Sequence, residues 1–252
     1  MSGQHIVDMT GKVVLITGGS RGLGRAMALG FAEAGADIIV ASRRIESCEE
    51  VVRAVEKLGR RAMAHSCHVG RWHECDSLVD AAYARFGKVD VLINNAGKSP
   101  LYDRPVDIDE KLYDSVLDLN LKGPFRLTAV IGQRMMDAGG GAIVNISSIG
   151  SIRARKNIIT YAAAKAGLNA ITEAFADAYG PTVRVNAILP GPFLTDISKA
   201  WDMEAFSNRA ETSIAMKRGG RPEEIVAAAL YLASDHASYT TGALLRIDGG
   251  SH

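Results

Sequence analysis

The feature that most limits how this chain can fold is a repeated alternation: short, continuously apolar runs, each followed by a longer amphipathic segment. The runs are KVVLIT (12–17), ADIIVA (36–41), RAMAHS (61–66), VDVLIN (89–94), GAIVNIS (141–147), TVRVNAIL (182–189) and ALLRI (243–247). A strand with no polar side must be covered on both faces, which is the situation of a parallel sheet between helices. The intervening segments read as those helices: 23–34, 45–58, 73–86, a long one over 109–136, 161–179 and 222–233, with Gly35, Gly59 and Gly87 as stops. Right-handed crossovers then give an α/β fold: a doubly wound parallel seven-stranded sheet with helices on both faces, a Rossmann-like three-layer sandwich. With no linker, repeat or low-complexity tract in 252 residues, a single domain over 1–252 is expected. The stretch 191–221 is poor in strand signals but carries Pro192, Phe193, Trp201, Met203 and Phe206, and reads as a mobile helical lid over substrate.

Composition narrows the partners. A net charge of +1 provides no global field for nucleic acid or an acidic membrane. No apolar run reaches membrane-spanning length, and MSGQHIVDMTGK lacks the apolar centre of a secretory leader. Cys48, Cys67 and Cys75 are few, odd in number and without CxxC spacing, so free thiols in a reducing, cytoplasmic setting are expected. His65, Cys67, His68, His73 and Cys75 crowd together but fit no zinc spacing, so no metal is expected.

TGGSRGLG (17–24) admits two readings. Gly18-Gly19-Ser20-Arg21-Gly22 fits the G-x-S-x-G elbow of hydrolases, with Ser20 as nucleophile. Gly18, Gly22 and Gly24 also fit a glycine turn after the first strand, whose backbone approaches a phosphate at a helix N-terminus. The elbow needs a downstream acid and then a histidine; His65, His68, His73, His236 and His252 occupy no obvious catalytic loop. YAAAK weighs against the elbow. Tyr161 and Lys165 stand at i and i+4 on one helix face. At about 4 Å and an effective dielectric of about 20, their attraction is roughly 4 kcal/mol. That would draw a phenol from about 10 toward 7 and make it an acid/base near neutral pH. Ser147 and Ser148 end one strand and NNAG (94–97) another, at the strand ends where open α/β sheets place ligands. Asn120, in N-L-K-G within the long helix, is poorly placed by propensity, so a local kink exposing a carbonyl is expected there.

TGGSRGLG, NNAG, Asn120, Ser148, YAAAK, the Pro-Gly of LPGPFLTD, GRPEEI and IDGG, in this order from about Thr10 to Gly250, resemble the short-chain dehydrogenase/reductase superfamily, single-domain subgroup. The resemblance implies that Tyr161 is the acid/base and that Lys165 lowers its pKa and holds the nicotinamide ribose. It implies further that Ser148 bonds the substrate oxygen and that Asn120 anchors a water relaying protons to Lys165. Gly18, Ser20, Arg21, Gly22, Leu23 and Gly24 would cradle the cofactor. Asn94, Ala96 and Gly97 would flank it, and Pro190, Gly191 and Thr195 would meet its nicotinamide end. His68 and Val69 would lie by the adenine, although the family often has an aspartate where this chain has His68. The resemblance also implies a homotetramer paired through the helices around 109–136 and 161–179 and the last strand.

An NAD-preferring site carries an acid at the end of the second strand. Asp37 opens that strand instead, and the expected position holds Ser42, followed by Arg43 and Arg44. Serine and guanidinium donors suit a 2′-phosphate, with Arg21 as a further cation, so NADP(H) is expected over NAD(H), which stays possible. The expected reaction interconverts a small-molecule ketone and a secondary alcohol. A β-ketoacyl-carrier-protein reductase and a sugar or polyol (gluconate-type) dehydrogenase are the alternatives. Outside enzymes the alternative is a dinucleotide-binding regulator, which would normally lack the tyrosine or lysine. Arg153, Arg155 and Lys156 form a basic run that could attract a carboxylate, a coenzyme A phosphate or an acidic carrier, a solvated loop being the plainer reading. Lys98 could face substrate, and Ile149, Ile152, Phe193, Leu194 and Trp201 are expected to form an apolar wall.

Overall fold

A computed structural model describes residues 7–196, 198 and 202–251. Its seven strands form one parallel sheet in the order β3-β2-β1-β4-β5-β6-β7. The strands are β1 (Val13–Thr17), β2 (Asp37–Ser42), β3 (Ala62–Ser66), β4 (Val91–Asn94), β5 (Gly141–Ile146), β6 (Val183–Pro190) and β7 (Leu244–Ile247). The helices are α1 (Gly22–Glu33), α2 (Ile45–Lys57), α3 (Trp72–Phe86), α4 (Glu110–Leu117), α5 (Gly123–Asp137), α6 (Ile159–Tyr179), α7 (Met203–Ser213) and α8 (Val226–Ala233).

The period-2 geometry of a strand explains the uninterrupted apolar runs. Val14 and Ile16 of β1, with Ile38 and Val40 of β2, pack on one face with Met27 and Phe31 of α1, Val51 of α2 and Leu232 of α8. Leu15 and Ile39, the residues between them, pack on the other face with Leu78 of α3, Leu127 and Ile131 of α5, and Ala176 of α6. Both sides of these central strands are therefore core, which is why most of their residues are apolar.

Two expectations need correction. The long helix over 109–136 is not continuous: α4 and α5 are joined by a π-helical turn, Asp118–Lys122, centred on buried Asn120. The segment 222–233 opens as a 3₁₀ turn over Pro222–Ile225 before α8 begins. The ends of the stretch 191–221 are paired to each other, Leu194 N–H donating to the Gly220 carbonyl and Gly220 N–H to that of Pro192. Leu194, Phe206, Ala210 and Ile214 form a small apolar cluster of their own there.

Candidate active site

The strand order reverses at β1, which pairs with β2 on one side and β4 on the other. Helices leave such a switch point in opposite directions, and a crevice opens beyond the strand C-termini. Here it is a cleft of about 930 Å³.

At one end the glycine turn runs from β1 into α1. Gly18 has φ +63, and a Cβ there would stand 2.9 Å from both the Ala96 Cα and the Asn95 Nδ2. Gly22 also has positive φ, +51. No side chain caps α1 and no acid stands in its first turn, so its leading N–H groups face the cleft unmasked. Ser20, Arg21, Gly22 and Leu23 line this end, whereas Gly24 lies beneath it, where a Cβ would collide with the Gly18 carbonyl. Two bare glycines and an uncapped helix start fit a pyrophosphate group. Residues that suit a dinucleotide continue along the cleft: Ser42, Arg43 and Arg44 after β2, His68 and Val69 after β3, and Ala96 and Gly97 after β4. Asp37 is at the far end of β2, where Arg61 donates to it from its backbone N–H, Nε and Nη2. The His68 ring accepts through Nδ1 from Gly70 N–H at 3.2 Å, and Glu74 takes the His68 backbone N–H.

The expectation for Asn94 is corrected. Its side chain lies on the α5 side of the sheet, donating to Thr128 Oγ1 and Asn145 Oδ1. Asn145 in turn donates to Thr172 Oγ1, which donates to the Leu168 carbonyl. This buried ladder stitches α5, β4, β5 and α6 and leaves Asn94 off the cleft wall. Asn95, which the sequence reading passed over, is on the wall. Its Nδ2 donates to the carbonyls of Thr17 and Gly18, and Thr17 Oγ1 accepts from Asn95 and Ala96 N–H. The two-residue period puts Asn94 on the face of Leu92, but that Asn95 turns toward β1 follows from where the pairing of β4 stops, at Asn94.

At the other end of the cleft, Ser148 follows β5 and Tyr161 and Lys165 lie on α6. Ser147 is occupied structurally, donating to Asn169 Oδ1 at 2.6 Å. Ser148 faces the cleft beside the Tyr161 phenol and accepts from Gly150 N–H at 3.0 Å. Lys165 is 3% exposed; its Nζ donates to the Ile146 carbonyl at 2.7 Å and sits 5.8 Å from the Tyr161 ring centroid. Asn120 holds Lys98 from both sides, its Oδ1 accepting the Lys98 N–H and its Nδ2 donating to the Lys98 carbonyl. That Nδ2 also donates to the Val116 carbonyl. The expected kink is thus a π turn, and the side chain itself occupies the carbonyl one turn back. A Cβ on Gly97 would stand 2.7 Å from Asn120 Oδ1 and 3.5 Å from Lys165 Nζ, so a bare glycine lets both approach one point.

The electrostatics differ from the isolated-pair expectation. Burial pushes the Tyr161 phenol up, with only the Ser148 hydroxyl opposing it. Burial brings Lys165 down to about 7. Desolvation outweighs mutual attraction because the ammonium lies beside the ring and its proton goes to a carbonyl, not to the phenol oxygen.

Pro190, Gly191, Thr195, Ile149 and Phe193 also line the cleft. Ile152 is half exposed and Leu194 packs in its own cluster, so neither is on the wall as expected; Trp201 lies outside the described residues. Lys98 lines the cleft, with its Nζ donating to Ser115 Oγ at 2.6 Å. Burial and nearby Arg43 hold its ammonium below the usual lysine range.

A family model described as Enoyl-(Acyl carrier protein) reductase matches residues 18–252. The chain is 41% identical over 252 residues to 3beta-hydroxysteroid dehydrogenase 1 of Eggerthella lenta, covering 96% of this chain and 94% of the other. It is 35% identical to a 3-oxoacyl-[acyl-carrier-protein] reductase of Thermotoga maritima, covering 96% and 98%. Among solved structures, a 7 alpha-hydroxysteroid dehydrogenase complexed with NADH and 7-oxo glycochenodeoxycholic acid superposes with TM-score 0.92 at 32% identity, covering 97% and 95%.

Proposed function

The chain belongs to the short-chain dehydrogenase/reductase superfamily and is an NAD(P)-dependent oxidoreductase; from that premise we propose that it interconverts a ketone and a secondary alcohol, preferring NADP(H). The observation that carries this reading is the convergence of Ser148, Tyr161, Lys165 and Asn120 at one end of a cleft whose other end suits a dinucleotide. When bound, the nicotinamide supplies or accepts the hydride. Ser148 and Tyr161 together bind the substrate oxygen, Ser148 orienting it and Tyr161 donating its proton as the carbonyl becomes an alkoxide. A phenol raised by burial is protonated at neutral pH, which is the form reduction needs. Lys165, held by the Ile146 carbonyl, presents its remaining protons toward Gly97 and Asn120, where a ribose hydroxyl or a water would be bonded. Asn120 fixes the loop after β4 against that point. Ser20 acts in the cradle and not as a nucleophile. Ser42, Arg43, Arg44 and Arg21 support the 2′-phosphate, since all line the cleft and no carboxylate occupies the end of β2. The 191–221 excursion, hinged on the Phe193–Gly220 pairing, serves as the substrate cover.

Tyr161→Phe tests the reading. Cofactor binding followed by fluorescence titration is expected to be retained, while turnover falls by about 10³-fold or more, as loss of the proton donor demands. A variant that keeps most of its activity would remove Tyr161 from the reaction.

A further inference from the structure

Among the described residues, eleven lysines and arginines are ion-paired to a carboxylate. Arg61, Arg71, Arg104, Arg126, Arg134 and Arg218 each have a carboxylate within bonding distance. The cleft is different. Six of its lining residues are arginines, Arg21, Arg43, Arg44, Arg153, Arg155 and Arg209, and among the described residues no carboxylate pairs with any of them. The lining contributes one acid, Asp196, which already has a partner. In a chain of net charge +1, this concentrates positive potential in one crevice.

The arginines fall into two groups. Arg21, Arg43 and Arg44 belong to the dinucleotide end. Arg153 and Arg155 come from the loop between Ser148 and Tyr161, and Arg209 comes from α7 on the excursion above it. The loop is held in place: the Tyr102 hydroxyl donates to the Lys156 carbonyl and accepts the Ile159 N–H. Arg153 is further tied to the Ser251 carbonyl, and Arg209 rests 5.5 Å over the Phe206 ring. The same cleft has an apolar part of its lining in Ile149, Ile158, Phe193 and Ile214.

We propose that Arg155 and Arg209, with Arg153 behind them, form an anion subsite, and that the substrate is an oxo acid: a ketone on an apolar body ending in a carboxylate. This rests on the redox reading above and adds the substrate class. A dinucleotide's phosphates satisfy one group of arginines; the second group, on the substrate side, needs an anion of its own. Planar guanidinium forks bind a carboxylate in a bidentate manner, and the apolar lining suits the body that joins it to the reacting carbonyl.

The test is steady-state reduction, with NADPH, of a homologous series of aliphatic and alicyclic oxo acids, each beside its methyl ester. The acid is expected to exceed its ester in kcat/KM by about tenfold or more at the chain length that fits the cleft, carried by KM, as one or two partly desolvated charge contacts allow. The advantage should shrink in 0.5 M salt. In Arg155→Gln/Arg209→Gln the acid-to-ester ratio is expected to fall toward one. Equal efficiency of acid and ester at every length, or a ratio unmoved by the double substitution, overturns the proposal while leaving the ketone reductase intact. So does acetoacetyl-coenzyme A proving the better substrate by an order of magnitude, which would assign the cations to a thioester carrier. Absence of turnover with acids and esters alike removes the redox reading, and this one with it.

Discussion

Lys165 is an ammonium buried without a carboxylate, and it has a thermodynamic signature. Its ordinary value of 10.5 falls to about 7 in the fold. Between those values the unfolded chain holds a proton that the folded chain has lost, so this residue makes stability rise with pH from 7 to 10.5. Below 7 the full penalty is present. Lys165→Met is therefore expected to gain most in melting temperature, relative to the parent, below pH 7, with the margin closing toward pH 10. A margin that is constant across that range would contradict the burial argument. Tyr161 makes a second residue-scale prediction. With its phenol held above the usual range, ketone reduction should stay flat through neutral pH and fall only in alkali, while alcohol oxidation should climb with pH. Rate profiles in both directions check this; oxidation that peaks below neutrality would be inconsistent. In the buried ladder, Asn145→Ala removes one hydrogen bond from the Asn94 amide and one from the Thr172 hydroxyl, each of which keeps its other partner. The expected cost is about 1–3 kcal/mol by denaturant titration, at about 0.5–1.5 kcal/mol for each of the two hydrogen bonds lost.

The informative element is the joint between α4 and α5. A regular helix would carry Asn120 to a different azimuth, since each residue advances by about 100°. The π turn absorbs one extra residue and lets the amide bracket Lys98 while filling the Val116 carbonyl. Asn120→Ala removes the bracket and leaves the helices. It is expected to lower kcat by roughly 10- to 100-fold, as loss of a positioning contact can, with a far-ultraviolet circular dichroism spectrum like the parent's. The long helix was readable from its apolar period and a kink at Asn120 was expected; that the kink is a π turn was not readable. Only the awkward Asn-Leu-Lys-Gly gave a hint, because whether a helix kinks or bulges depends on which loop packs against it. The same limit affected the strand ends. Strand β4 was evident from VDVLIN, yet which asparagine faces the cleft depends on where pairing stops.

At the scale of the whole molecule, the parallel sheet brings the ends of β1, β2, β3, β4, β5 and β6 to one crevice, so cofactor preference is a property of segments far apart in the chain. Efficiency with NADPH is expected to exceed that with NADH by an order of magnitude or more, and Arg43→Ala/Arg44→Ala to erase most of the difference, since bidentate phosphate contacts are charge-assisted. Equal efficiencies in the parent would refute the assignment of Ser42, Arg43 and Arg44. The outer face of α4, α5 and α6 carries a second hollow lined by Leu117, Leu121, Phe125 and Ile171, with Phe125 and Tyr113 exposed. Exposed apolar area of this kind is a basis for self-association. Phe125→Glu is expected to shift sedimentation toward a smaller species. No helix among the described residues is long and apolar enough to cross a membrane.

Local periodicity was sufficient for some features. Uninterrupted β-branched runs require a sheet covered on both faces. A glycine turn after the first run places the phosphate cradle. Four-residue spacing puts Tyr161 and Lys165 on one helix face. Tertiary structure alone decided the rest. It set Asn95 and not Asn94 on the wall, bulged the helix at Asn120, reversed the expected direction of the Tyr161 phenol and gathered Arg209 with Arg153 and Arg155. The physical reason is range: handedness and periodicity act over a few residues, whereas desolvation and convergence of charge depend on groups that meet only once the chain is packed.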